Sequence, residues 1–201
     1  MNTAVKLLAA LGLTAGLAGA ALAVEPGQVI DNFRLLDQSG KPHELHELSG
    51  KKAVVLMVQG NGCPIVRQAL PALAEIRTKY QAQGVEFLLL NSNLQDKPEL
   101  VAKEAQEFKI GFPILIDQSQ LVGEALGVVR TSEVFVIDPQ SWKLVYRGPM
   151  DDRLSYERQR PAKHHYLSDA LEAVVAGKPV QTPKADGVGC LVNFPERERK
   201  T

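Results

Sequence analysis

Cysteine is scarce in this chain: its 201 residues include two, Cys63 and Cys190. Two thiols cannot make a disulfide-dense scaffold, and a chain of this length can bury a core without one. Excess charge is missing too. Lys and Arg total 23 and Asp and Glu total 23, which gives no broad electrostatic attraction to nucleic acid or anionic lipid. Beyond residue 23 no uninterrupted apolar run approaches the roughly 20 residues that cross a bilayer, so no membrane span is expected after the leader. There is no internal repeat and no low-complexity linker. What remains is about one ordinary domain with two sulfur atoms, and the chemistry is sought there.

The leader sets the compartment. Lys6 is followed by an uncharged apolar stretch over residues 7–20 and by Ala21-Leu22-Ala23, the pattern of a secretory signal peptide with a small-residue cleavage site. Cleavage after Ala23 exposes Val24 rather than a cysteine, so no lipid anchor is expected. With Lys6 removed, 22 basic residues face 23 acidic ones, a net charge of −1. The protein is read as exported, periplasmic or extracellular, where two thiols persist as a disulfide unless something reduces or cycles them. The expected organisation is a signal peptide over 1–23, one domain over 24–195 with a C-terminal arm carrying Cys190, and a charged tail over 196–201.

Periodicity supplies the elements. Ile30, Phe33 and Leu35, the turn Gln38-Ser39-Gly40-Lys41 and residues 43–45 predict a pair of short strands. Residues 53–58 form a continuous valine-rich run, suited to a strand buried on both faces, and residues 85–90 repeat it. After Pro64, Val66, Leu70, Leu73, Ile76 and Tyr80 recur at helical spacing. Leu100, Val101, Ala105 and Phe108 mark a second helix. A short strand over 114–116 precedes a helix over 119–126 that Gly127 can end in the left-handed conformation. Strands at 134–137 and 144–146 flank the turn Asp138-Pro139-Gln140-Ser141. An irregular loop over 151–165 leads to a last helix bearing Leu167, Leu171, Val174 and Val175, closed by Gly177 and Pro179. The order predicts an α/β fold, a mixed central sheet with helices on both faces. Cys63 falls where a strand hands over to a helix, at the sheet edge where open α/β folds place their sites.

Pro64 makes the case for a reactive Cys63. Proline suits the first helical position and pushes its predecessor out of the helical region, so Cys63 is expected at the N-cap. Free N–H groups and the helix dipole there favour thiolate, the nucleophilic form. Arg67, one turn on, adds positive charge if it points at the sulfur, and Gly60 and Gly62 leave the approach uncrowded. The bland alternative is an inert cysteine in a tight turn. Cys190 lies in a Gly-rich stretch, 182–190, with no helical or strand pattern, and a flexible carrier suits a resolving thiol. Equally, a permanent bond closing that separation could stabilise the fold by roughly 5 kcal/mol, so a structural staple stays open.

Several segments carry a resemblance. The apolar strand before Gly62-Cys63-Pro64, Phe112-Pro113-Ile114-Leu115-Ile116-Asp117, Thr131-Ser132-Glu133-Val134-Phe135-Val136-Ile137-Asp138 and Tyr146-Arg147-Gly148 resemble the redoxin branch of the thioredoxin-like superfamily, which includes alkyl hydroperoxide reductase and thiol-specific antioxidant relatives. Asp151-Asp152-Arg153, Arg160-Pro161 and Gly189-Cys190 are similar to a secreted subgroup with a cysteine in this C-terminal position. The resemblance implies a thioredoxin-like fold and two-cysteine chemistry. Cys63 attacks a substrate disulfide or a peroxide, Cys190 resolves the product, and an external thiol reductant resets the pair, with no cofactor. Arg130, Thr131 and Ser132 belong to the loop that this fold brings toward Cys63; there Arg130 could stabilise the thiolate or an oxyanion.

Two departures from the family pattern stand out. Thioredoxin-type reductases carry Cys-x-x-Cys and peroxiredoxins a threonine three residues before their reactive cysteine, yet that position here is Gly60. Ser132 replaces the usual cis-proline, and a non-proline cis bond costs about 2.5–4 kcal/mol, so a trans bond is expected. Two other classes remain: a redox-inactive interaction domain with a structural disulfide, and a copper carrier or assembly factor using thiols and one of His43, His46, His164 or His165. Adjacent Asp151 and Asp152, with Arg147 and Arg153 close by, are read as turn and salt-bridge residues rather than an acid–base pair.

Overall fold

The computed structural model describes residues 23–155 and 160–195. The expected signal peptide, apart from Ala23, and the charged tail lie outside the described residues.

Five strands make the central sheet, in the order β5-β4-β3-β6-β7. They are β3 (Ala53–Val58), β4 (Val85–Asn91), β5 (Ile114–Ile116), β6 (Val134–Asp138) and β7 (Lys143–Gly148). The first three run parallel, and β6 and β7 are antiparallel additions on the β3 side. A separate hairpin joins β1 (Arg34–Leu36) to β2 (Pro42–Glu44). The helices are α1 (Pro64–Tyr80), α2 (Pro98–Glu107), α3 (Leu121–Leu126) and α4 (Tyr166–Val175). Every residue of β3 is buried, as its unbroken apolar run requires, because both sheet faces are covered.

The period of two assigns those residues to opposite sides. Val55 and Met57 share one core with Phe87, Leu89, Val134 and Val136, roofed by Ile65, Val66 and Leu73 of α1, Val101 of α2 and Leu167 and Leu171 of α4. Val54, Leu56 and Val58 enter the other with Leu88, Leu90, Phe135 and Ile137. Helix coverage of that second face comes from short α3, through Val122 and Leu126, and from a single 3-10 turn over Leu45–Leu48. Ile30, Leu45, Val192 and Phe194 complete it, so the opening segment and the C-terminal arm do the work that longer helices do opposite.

Gly127 ends α3 at φ 66°, ψ 34°, the left-handed cap expected of it, while α3 starts two residues later than predicted because Gln120 itself takes a positive φ. The acidic pair also behaves as read. Asp151 binds Arg153 at 2.6 Å, and Asp152 accepts the Lys163 and His164 N–H groups. Arg147 is not their partner. It is buried, pairs with Glu133 at 2.5 Å, and donates to the carbonyls of Val24 and Gly127. Glu133 closes the Thr131-Ser132 loop, so this pair ties the loop to β7. Replacing Glu133 with glutamine leaves a buried guanidinium without its counter-charge and is expected to cost about 3–5 kcal/mol, read as a lower urea midpoint at unchanged slope.

Candidate active site

Local geometry puts Cys63 where Pro64 directs it. It is the N-cap of α1, with φ −71° and ψ 114°, and Pro64 follows as the first helical residue. Gly62 takes φ 71°, a conformation that glycine adopts without strain, and this brings the strand-to-helix turn round. Side chains from outside α1 hold the turn: the Asn61 N–H donates to Asp96 Oδ2 at 2.9 Å and the Gly62 N–H to Glu104 Oε2 at 2.8 Å. Beneath it Asn91 Nδ2 bridges Gln59 Oε1 and Asp96 Oδ2. This buried amide and carboxylate network escaped the sequence reading. Its signal is Asn91-Ser92-Asn93, an abrupt polar run at the end of an apolar strand.

Cys190 meets Cys63 across a sequence separation of 127 residues, with the two sulfurs 2.7 Å apart. The arm that carries it is not the flexible segment expected. Arg147 N–H donates to Pro183 O, Ala185 N–H to Arg147 O, Thr131 N–H to Cys190 O and Val192 N–H to Val129 O. Gln120 Nε2 donates to Asn193 O at 2.6 Å, and Val192 and Phe194 are buried. Single bridges at Lys184 and Leu191 pair the arm with β7 and with Arg130. These contacts lack the length of a strand, which explains why no periodicity announced them.

Thr131 joins the two cysteines. Its Oγ1 lies 3.1 Å from Cys63 Sγ and accepts the Cys190 N–H at 2.9 Å. Cys63 is 4 % exposed, and burial pushes its thiol up, but donors from Cys190 and Thr131, with the Val66 and Cys190 N–H groups, outweigh that and hold it below the ordinary thiol range. The Val66 effect is the helix N-terminus at work, although the sulfur makes no formed capping hydrogen bond. Cys190 moves the other way, raised by burial and by its contact with Cys63. Of the two thiols, Cys63 is the one that gives up its proton more readily.

Two expected supports are absent from the sulfur. Arg67 lies over the Phe108 ring at 3.8 Å from its centroid and pairs with Glu104 at 3.3 Å. Its side chain is linked to the turn through Glu104, which holds the Gly62 N–H. Arg130 Nη1 donates to Gly189 O at 3.3 Å, which fastens the arm. Ser132 is trans, at φ 63°, and its N–H donates to Val58 O at 2.7 Å. Its buried hydroxyl has no hydrogen-bond partner, so it completes the turn and does not bind the sulfur.

Gly60 shows why Cys-x-x-Cys is missing. A Cβ there would lie 2.7 Å from Asn93 Nδ2 and 2.9 Å from Thr131 Cγ2. The space that a first cysteine needs is taken by Asn93 and Thr131. Replacing Gly60 with alanine is expected to cost about 1–3 kcal/mol through overpacking, and thermal unfolding would show it as a fall of a few degrees. Among the described residues, no three His, Cys, Asp or Glu side chains gather as a metal site, and no helix is long and apolar enough to cross a membrane.

Comparison with known proteins agrees with this geometry. The AhpC/TSA family model matches residues 26–146, a span that includes Cys63 and Thr131 and stops before the arm. Thiol-disulfide oxidoreductase ResA of Geobacillus thermodenitrificans (strain NG80-2) is 38 % identical over 135 residues, covering 66 % of this chain and 75 % of that one. A hypothetical protein from Sinorhizobium meliloti 1021 superposes with a TM-score of 0.77 at 30 % identity, over 86 % of this chain and 96 % of that chain. A putative thiol:disulfide interchange protein DsbE from Chlorobium tepidum shares the fold, with a TM-score of 0.62 at 21 % identity over 76 % of this chain and 99 % of that one.

Proposed function

This chain belongs to the AhpC/TSA family of thioredoxin-like proteins, and from that premise we propose that it is an exported thiol-disulfide oxidoreductase whose working pair is Cys63 and Cys190. The observation that carries the reading is the placement of the two sulfurs, 2.7 Å apart with the Thr131 hydroxyl against the inner one. The lower pKa of Cys63 than of Cys190 supports the following order of events. Cys63 thiolate attacks one sulfur of a substrate disulfide, forming a mixed disulfide and releasing the other sulfur as a thiolate that takes a proton from solvent. Cys190 loses its proton and attacks Cys63 Sγ, releasing the second substrate thiolate and leaving a Cys63–Cys190 disulfide. An external dithiol then returns two electrons and is itself oxidised.

Peroxide is the less supported oxidant. Developing charge on a departing oxygen calls for fixed donors, and both candidate arginines are committed elsewhere, Arg67 to Glu104 and Arg130 to Gly189 O. The mature unit is read as one domain over 24–195, with the arm as part of it.

A redox titration of the mature protein, with thiols alkylated and counted by mass spectrometry, tests the reading. A reversible Cys63–Cys190 bond with a midpoint between about −120 and −270 mV is expected of a working pair. A midpoint below about −300 mV would make the bond a staple, and two thiols that never pair would end the resolving role of Cys190.

A further inference from the structure

The Thr131 hydroxyl stands between two groups with different demands. A hydroxyl offers one proton and two lone pairs. The Cys190 N–H can only donate, and at 2.9 Å it occupies one lone pair of Oγ1. A Cys63 thiolate can only accept, and its sulfur lies 3.1 Å from the same oxygen. The side chain has little freedom to rearrange. Its methyl is seated against Gly60, where even a Cβ would come within 2.9 Å of Cγ2, and the Thr131 N–H is tied back to Cys190 O.

We propose that the docked arm activates Cys63 through its main chain: the Cys190 N–H fixes the Thr131 hydroxyl so that its proton points at Cys63 Sγ. One residue then has two separable tasks, its sulfur resolving and its amide activating. The inference rests on the reading of Cys63 as the attacking thiolate and adds the device that keeps it one. It also explains the glycine before the arm cysteine, since a Cβ on Gly189 would fall 1.9 Å from Thr131 O, and only a bare backbone brings the amide within reach. Charged groups on the surrounding elements are engaged elsewhere. On α1 and α2, Arg67 and Glu104 pair with each other; beside the loop, Glu133 pairs with Arg147 and Arg130 holds Gly189 O.

The test separates amide from sulfur. In Cys190→Ala the amide remains and Cys63 is the one thiol, so its alkylation by iodoacetamide can be followed against pH. Adding Thr131→Val, which swaps the hydroxyl for a methyl, is expected to slow alkylation at neutral pH about tenfold and move the profile to higher pH, the scale of one hydrogen bond to a charged group. Thr131→Ser should restore most of the rate. Cys190→Pro deletes the N–H, and there the chain should already react slowly, with Thr131→Val changing the rate less than about twofold, because the two changes remove one interaction. Hydrogen exchange at the Val192 N–H, bonded to Val129 O at 3.0 Å, reports whether the arm stays docked. If proline undocks it, an amide-to-ester replacement at position 190 of the C190A chain makes the same comparison. An equal effect of Thr131→Val with and without the amide would overturn the inference, as would no effect in either. Cys63 no more reactive than free cysteine in C190A would overturn the parent reading as well, whereas fast alkylation indifferent to positions 131 and 190 would sink this inference alone.

Discussion

Serine in place of Cys63 is expected to bring disulfide exchange down to background, and serine in place of Cys190 to stop the reaction halfway. Serine keeps the shape of the N-cap but its hydroxyl stays protonated where a thiol near the helix N-terminus ionises. The Thr131 and Val66 groups that hold Cys63 below the ordinary thiol range then have no anion to stabilise. In Cys190→Ser, Cys63 still attacks, yet nothing releases the substrate from it. A mixed disulfide on Cys63 should accumulate with a disulfide probe and be seen by mass spectrometry as one adduct per chain. The two variants are therefore expected to fail differently, one without adduct and one with it. Equal turnover by Cys63→Ser and the wild type would end the assignment of Cys63.

Gly189→Ala is expected to have the other large effect, and without touching either sulfur. The added Cβ would sit 1.9 Å from Thr131 O and 3.2 Å from Arg130 Cβ. The first contact is with backbone, which cannot swing aside as a side-chain end can, so the arm itself must move. Moving it breaks the Cys190 N–H bond to Thr131 and the reciprocal bond from Thr131 N–H to Cys190 O. The cysteines should then stay reduced at potentials where the wild-type pair is oxidised, and Cys63 should lose reactivity at neutral pH. Circular dichroism should show an intact sheet, because α1 and the five strands do not depend on residue 189. Wild-type midpoint potential in Gly189→Ala would show that the close approach is not needed.

Much of the fold was legible because the elements that matter are periodic. Residues 53–58 and 85–90 read as buried strands in a covered sheet, and the apolar spacing after Pro64 fits α1 as found. Cys63 at the N-cap followed from one covalent fact, that proline restricts its predecessor. The trans bond at Ser132 followed from the cost of the alternative. Arg67 and Arg130, read as supports of Cys63 only if they point at it, hold other partners for one shared reason. Sequence places an arginine near a site but says nothing of competing partners, and Glu104 and Gly189 O stand closer to hand.

What the sequence determined by itself is therefore the alternation of elements, the strand-to-helix turn at Cys63 and the pool of two thiols available for chemistry. Each rests on local stereochemistry or on a repeat that a few neighbouring residues suffice to display. Tertiary structure alone decided how Cys190 is seated against Cys63, that Thr131 stands between them and that Asn93 and Thr131 fill the place beside Gly60 where the first cysteine of a Cys-x-x-Cys motif would stand. Those contacts join residues far apart in the chain through single bridges and one close backbone approach. Hydrogen bonds and packing of that kind leave no period behind, and only the folded chain brings their partners together.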